Sequence, residues 1–280
     1  HKLGGARPVT IWGQGRIRLV AIDIDYTLIG SDLKISDATK RAIGAAIDAG
    51  SIITLATGRM YRAAVPFAEE LGIDAPLITY DGALVKTART QEVYWHKPIP
   101  LEDAGVILAH LESLGFHINV YVDDELYVAS LNEQARHYMA HVNVVANPVG
   151  NLLEFLNRPP TKLLMMAEPE TVDKLLPELE RKFGDRSHVA RSLPSYIEFT
   201  GKGVTKGSAL AGLSEHLGIP KDGVMAIGDS ENDISMLSYA GIGVAVNNAR
   251  DSVKEAADYV ADGISGDGVA EAIYRFVLGS

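Results

Sequence analysis

Short runs of β-branched and aliphatic residues recur along the chain, most of them followed by apolar residues at helical spacing. Residues 17–22 are apolar almost without a break and end at Asp23, the pattern of a strand covered on both faces. Ser36 or Asp37 then offers an N-cap for a helix that stops at Gly50. Residues 52–56 predict a second strand, 60–71 a helix and 76–79 a third strand. That βαβαβ order implies a parallel sheet with helices on its faces. The same alternation returns as a helix over 204–217, a strand over 224–227, a helix over 232–240 and a strand over 242–246. A helix over 248–257, a stub of strand at 259–260 and a closing helix over 267–277 complete it.

The middle follows a different pattern. Strand-like pieces flank a polar turn within 85–98, and residues 117–130 alternate as two strands around Asp123 and Asp124, most simply a hairpin turn. Helices are predicted over 101–114, 133–142 and 171–183, a Pro- and Asn-rich connection over 147–160, a strand over 162–167 and two strands within 188–199. Hairpins mixed with helices predict an α+β unit with an antiparallel sheet. The chain therefore reads as a discontinuous α/β, Rossmann-like core (16–85 and 200–280) interrupted by a second domain at 86–199. Residues 1–15 are set apart as an N-terminal segment, either appended or a trimmed end.

Composition narrows the chemistry. With no cysteine, disulfide frameworks, thiolate metal sites and cysteine nucleophiles are excluded. A net charge of −10 repels nucleic acid and anionic membranes in general. No apolar run reaches the ~18–20 residues that span a bilayer, and residues 1–14 lack the apolar stretch of a secretory signal. A cytoplasmic protein is expected, a monomer or homodimer, with neither nucleic acid nor membrane as partner.

Four places can carry chemistry. Asp23 and Asp25, two apart after a buried strand, point to one side at the sheet's carboxyl edge. Like charges at about 4 Å cost roughly 1 kcal/mol in water and roughly 4 at an effective dielectric of 20, so a proton, a cation or exposure must offset them. Thr57, Gly58 and Arg59 end the second strand, where a hydroxyl and an approachable N–H suit a phosphate oxygen, or simply cap a helix. Lys206 stands at a helix start, where the dipole disfavours a cation, which points to a use other than helix support or to a simple solvated charge. Asp229, Asn232 and Asp233 follow Gly228 at another strand exit, where acids can be caps and dipole partners, a role that covers one acid more comfortably than the whole cluster.

In this order, the four resemble the motifs of the haloacid dehalogenase superfamily of phosphohydrolases: Asp-x-Asp-x-Thr-Leu at 23–28, the hydroxyl motif at 57–59, Lys206, and Gly-Asp-x-x-Asn-Asp at 228–233. The insert is similar to the C2-type cap of the Cof-like IIB subfamily. Two positions depart: Tyr26 stands where glycine is usual, narrowing the entrance, and Asp81 stands where Asn is common. The resemblance implies a Mg²⁺-dependent phosphatase acting on a small phosphorylated metabolite, a sugar phosphate first. It makes Asp23 the nucleophile and Asp25 the general acid and base, with a pKa near neutrality. The metal ligands are then Asp23, Asp25 through its main-chain carbonyl, Asp229 and Asp233. Thr57, Gly58, Arg59, Lys206 and Asn232 would hold the phosphate, and the cap would close on a hinge at Gly201 and Gly203 and read the leaving group. A sugar phosphomutase and a non-catalytic phosphometabolite-binding regulator are the alternatives.

Other features are weaker. His137 and His141, at i and i+4 with no third ligand evident, are given a surface or packing role, and His96, Tyr121 and Tyr196 are candidate cap readers. The P-loop and Gly-x-Ser-x-Gly patterns are absent.

Overall fold

The computed structural model describes residues 17–279, so the 1–15 segment and residue 16 of the core lie outside the described residues. The chain begins with β1 (Leu19–Ile22), α1 (Asp37–Asp48), β2 (Ile52–Leu55), α2 (Tyr61–Leu71) and β3 (Pro76–Thr79), then turns through β4 (Leu84–Thr87) and β5 (Val93–His96). Next come α3 (Leu101–Ser113), β6 (His117–Val122), β7 (Glu125–Val128), α4 (Glu133–Val142), β8 (Ala146–Pro148) and α5 (Leu152–Phe155). The insert ends with β9 (Lys162–Met166), α6 (Pro169–Phe183), β10 (Ser187–Arg191) and β11 (Tyr196–Gly201). Last are α7 (Lys206–His216), β12 (Val224–Gly228), α8 (Ile234–Tyr239), β13 (Ile242–Ala245), α9 (Asp251–Ala256), β14 (Tyr259–Val260) and α10 (Ser265–Ile273).

The order β14-β13-β12-β1-β2 forms a parallel sheet, as the α/β alternation requires. Its central strands are level at their carboxyl ends, since Ile22 pairs with both Ile227 and Leu55. The third predicted strand behaves differently. β3 meets β2 through a bridge at Ala56 and Ile78 and spends its ladder on an antiparallel pairing with β4. Pro76 has no N–H to give β2, and its carbonyl is taken by the Thr54 hydroxyl at 2.6 Å. β5 then extends this small sheet, so the pairing of β3 runs past the 85/86 boundary suggested by the sequence.

The insert's sheet runs β10-β11-β9-β6-β7-β8, antiparallel except between β7 and β8. Alternation sorts its side chains. Ile118, Val120, Leu163, Met165, Ile197 and Phe199 share one core cluster with residues of α3 and α6. The intervening positions, including Asn119, Tyr121, Lys162, Leu164 and Glu198, are buried too. Tyr121 and Leu164 belong to the other cluster, which contains the parallel sheet. The insert's sheet is therefore covered on both faces, and its second face carries polar groups toward the core.

Its two crossings run side by side. A Cβ on Gly201 would stand 3.0 Å from the Lys97 carbonyl and 3.3 Å from that of Pro98, an approach that favours glycine. The turn at Asp123 and Asp124, both at positive φ as a tight hairpin requires, ties the insert to the core. Asp124 accepts from the Tyr80 hydroxyl at 2.7 Å and the Arg62 N–H at 3.0 Å.

Candidate active site

The level strand ends bring the acidic loops together at the carboxyl edge of the sheet, where open α/β folds place ligands. Asp23 follows β1 and Asp229 follows β12, and both are buried. In the turn after β12, the N–H groups of Asp229 and Ser230 each donate to Asp233 Oδ2 at 3.0 Å. Gly228 makes that turn possible, because a Cβ there would fall 2.5 Å from the Asp233 Cβ. Thr27 and Ser230 hydroxyls donate to the two Asp229 oxygens at 2.8 and 2.9 Å.

Lys206 enters this group from the first turn of α7, which Thr205 caps. Gly207 lets α7 lie against α8, since a Cβ would meet the Ser235 carbonyl at 2.3 Å. The Lys206 ammonium, 1% exposed, lies 2.6 Å from Asp23 Oδ1 and 2.6 Å from Asp233 Oδ1. The dipole cost noted in the sequence is thus outweighed by two carboxylates. Burial works against the Lys206 charge, but Asp23 and Asp233 raise its pKa.

One cation does not balance three acids. Carboxylate oxygens of Asp23, Asp229 and Asp233 lie within 4.8 Å of one another. Burial and then the Asp233 charge push Asp229 up to about 7 and Asp23 well above the usual range. A buried set of hard oxygens with unbalanced charge fits a divalent cation.

The Asp25 carboxylate stands apart from this cluster. Arg59, itself buried, grips it with Nε at 2.8 Å from Oδ2 and a terminal nitrogen at 2.6 Å from Oδ1. His141 Nε2 lies 3.5 Å from Oδ1. Burial favours the neutral acid, but Arg59 and then His141 outweigh it and hold the carboxyl well below its ordinary range. The near-neutral pKa expected for Asp25 is therefore not met in this pocket, because the guanidinium fork stabilises the anion. His141 also departs from the packing role expected of it: it reaches from α4 of the insert to an acid of the core.

The phosphate-loop candidates are boxed in. The Thr57 hydroxyl accepts from the Arg59 N–H at 3.1 Å, and the Lys162 ammonium donates to the Gly58 carbonyl. A Cβ on Gly58 would stand 3.1 and 3.2 Å from the Asp81 oxygens and 3.4 Å from Glu198 Oε2. Lys162 also lies 3.0 Å from Glu198, which is hydrogen-bonded to Asp81. Burial and the Asp81 charge push Glu198 up to about 8, despite Lys162. Burial opposes ionisation of Asp81, but the Glu198 hydrogen bond and Lys162 lower it to about 2. Asp81 adopts φ 56°, a left-handed conformation that Asp tolerates better than most residues. Asn232 donates to Asp81 at 2.8 Å, leaving its Oδ1 buried without a partner among the described residues.

Two cavities that share part of their lining lie at the site. The inner one, about 50 Å³, is lined by Asp23, Asp25, Thr57, Gly58, Lys162 and Asn232 among others. At ~10–15 Å³ per enclosed water it accepts a group of a few heavy atoms. The outer vestibule, about 900 Å³, takes walls from both parts of the fold: Tyr26, Asn248 and Arg250 from the core, His117, His137 and Tyr196 from the insert. His141, Leu193, Tyr196 and Ser230 line both cavities. Of the candidate readers, Tyr196 alone is in the lining of these two cavities. Tyr121 is sealed against Tyr138 at 2.6 Å, and His96 bonds Thr161 at 2.8 Å.

Tyr26 occupies a conformation that suits glycine, with φ 60°. For a residue with a side chain this region costs roughly 1–2 kcal/mol. Its carbonyl is held by Asn248 Nδ2 at 2.7 Å and the Ser265 hydroxyl at 3.0 Å.

Sequence reasoning missed Lys162 and Glu198, and gave His141 another role. A lysine and a glutamate at alternate positions of strands would ordinarily face solvent, and only the second covered face of the insert's sheet makes them internal.

Residues 20–273 match the haloacid dehalogenase-like hydrolase family. A 5-amino-6-(5-phospho-D-ribitylamino)uracil phosphatase of Bacillus subtilis, YcsE, is 32% identical over 94% of this chain and 96% of its own. The pyridoxal phosphate phosphatase YbhA of Escherichia coli is 28% identical over 93% and 99%. Among solved structures, the subclass IIB sugar phosphatase BT4131 superposes with a TM-score of 0.80 at 29% identity, over 92% of this chain and 98% of that one. No helix among the described residues is long and apolar enough to cross a membrane. With the strand order, the acidic strand exits and these likenesses in agreement, the chain belongs to the haloacid dehalogenase-like hydrolases, as a phosphatase of their subclass IIB.

Proposed function

We propose that the protein hydrolyses small phosphomonoesters, sugar phosphates and their relatives, with Mg²⁺ as cofactor and Asp23 as transient carrier of the phosphoryl group. The observation that carries this reading is the meeting of Asp23, Asp229 and Asp233 beside the Lys206 ammonium at the carboxyl end of a parallel sheet. Those three side chains would hold the ion, with the Asp25 main-chain carbonyl as the family resemblance implies. Mg²⁺ is the choice that best suits hard carboxylate oxygens. When bound, it supplies the positive charge that lets a phosphate dianion approach the acids.

An Asp23 oxygen attacks phosphorus, the bond to the leaving oxygen breaks, and Asp25 protonates that oxygen. Asp25 then takes a proton from water as the water oxygen attacks the aspartyl phosphate and frees Asp23. Because the Arg59 fork favours the Asp25 anion, release of the fork accompanies each protonation. The Thr57 hydroxyl, the Gly58 N–H and Lys206 bind the non-bridging oxygens, where charge grows in the transition state. The inner cavity matches a phosphoryl group in scale, and the vestibule that shares four of its lining residues has room for water beside it, which supports hydrolysis over return of the group to a sugar.

Phosphate release from hexose phosphates tests the reading directly. Release is expected in Mg²⁺, lost in excess EDTA and nearly abolished in Asp23→Asn. Near-normal turnover of Asp23→Asn would overturn the covalent route, and full turnover in EDTA the metal.

A further inference from the structure

Tyr26 holds a left-handed conformation that its side chain disfavours. Its backbone turn is fixed through its carbonyl, by Asn248 and Ser265, and a glycine would satisfy the same bonds. The residue is 38% exposed. Its hydroxyl has no hydrogen-bond partner among the described residues, and its ring pairs with none of the other aromatic rings described.

What the ring does face is the vestibule. Tyr26 lines it together with Asp229 and Ser230, within reach of the acids, and with Tyr196, His137 and His141 of the insert. Tyr196 is itself braced by Tyr138, ring centre to ring centre 6.0 Å. A phosphoryl group seated in the inner cavity leaves the rest of the ester to pass Tyr196 and His141, which line both spaces, and to lie beside Tyr26. About 900 Å³ is at the upper end of the ~300–1,000 Å³ typical of small-molecule pockets and more than a lone sugar needs. Its lining includes the rings of Tyr26, Phe116, His117 and Tyr196, and aromatic side chains recognise planar rings by offset or edge-on contact.

We infer that Tyr26 is a specificity residue: its ring contacts the leaving group, and the enzyme favours phosphomonoesters whose leaving group carries a planar, π-bearing ring over those that carry none. This rests on the phosphatase reading above.

The test uses two esters of nearly equal size and leaving-group chemistry, benzyl phosphate and cyclohexylmethyl phosphate, with the full chain in Mg²⁺. The wild type is expected to show a higher kcat/KM for the benzyl ester. In Tyr26→Gly the benzyl-to-cyclohexylmethyl ratio should fall about tenfold, mainly through KM, the scale of one ring contact. Tyr26→Phe should keep the ratio within about twofold. Tyr26→Gly should also melt no lower than the wild type, because glycine relieves the left-handed backbone. An unchanged ratio in Tyr26→Gly, or a clear loss of Tm, overturns the assignment. Equilibrium dialysis of benzyl phosphate against Asp23→Asn with and without Tyr26→Gly reads the same contact without turnover. Equal affinities there sink the ring contact, whereas a wild type that releases phosphate from neither ester nor from hexose phosphates sinks the phosphatase reading alone.

Discussion

The Lys206 ammonium lies 2.6 Å from Asp23 Oδ1, although 183 positions separate the two residues in sequence. The whole insert is contained in that interval, so the contact depends on the chain returning to complete its parallel sheet. It also leaves a buried carboxylate reliant on one amine. Lys206→Met should cost about 3–5 kcal/mol in stability, the usual penalty for orphaning a buried charge. Urea unfolding in EDTA measures it, and a cost under about 1 kcal/mol would mean that Lys206 does not balance these acids. Phosphate release should fall at least ~100-fold, as it does when a donor to transition-state charge is removed.

Metal addition should act on the fold as well as on turnover. At about 100 times its dissociation constant, a ligand of the native state stabilises by about 2.7 kcal/mol. For a chain of this size that is a rise in Tm of several degrees or less. Mg²⁺ should give that rise in the wild type and little of it in Asp229→Asn. Equal rises in both would remove Asp229 from the metal site.

Arg59 should set the titration of Asp25. Replacing Arg59 with Met removes the fork, so the Asp25 carboxyl should rise from well below its ordinary value toward or beyond ~3.9, read by carboxyl ¹³C NMR. The sign for stability follows. A depressed acid stabilises above its unfolded pKa, and that contribution is lost as pH falls through the folded value. The wild type should therefore lose its advantage over Arg59→Met on acidification below about pH 4. An Asp25 that titrates unchanged in the variant would show that the fork does not control it.

Glu198 predicts the opposite slope. Its folded pKa is raised to about 8, so the native state keeps a proton that the unfolded chain releases. That contribution is full below the ordinary glutamate range and declines as pH rises toward 8. Glu198→Gln carries no such proton, so wild-type stability relative to this variant should fall between about pH 5 and 8. A flat difference across that interval would place the proton elsewhere.

Much of this site could be read before folding. Asp23 and Asp229 sit where apolar runs stop, and a buried parallel strand delivers the next residue to the sheet's carboxyl edge. Lys206 stands out in the sequence because the helix dipole opposes it, and its two carboxylate partners explain the exception. What stayed hidden depends on contacts between distant elements. The Arg59–Asp25 fork is a matter of rotamers, and Arg59 offers no periodicity to betray it. Lys162 and Glu198 follow strand alternation faithfully, but which face is dry depends on what the second face meets. The meeting of β3 with the parallel sheet is confined to a bridge at Ala56 and Ile78, while its ladder runs antiparallel with β4, a choice that depends on the return of a later segment.

The close pass of Gly201 beside the Lys97 and Pro98 carbonyls means that the insert leaves the core where it enters. More than a hundred residues are thereby spent without displacing either flanking segment. The catalytic scaffold would close over a bridge of a few residues, and lids of unrelated shape could be exchanged at that doorway while the acids beneath kept their spacing.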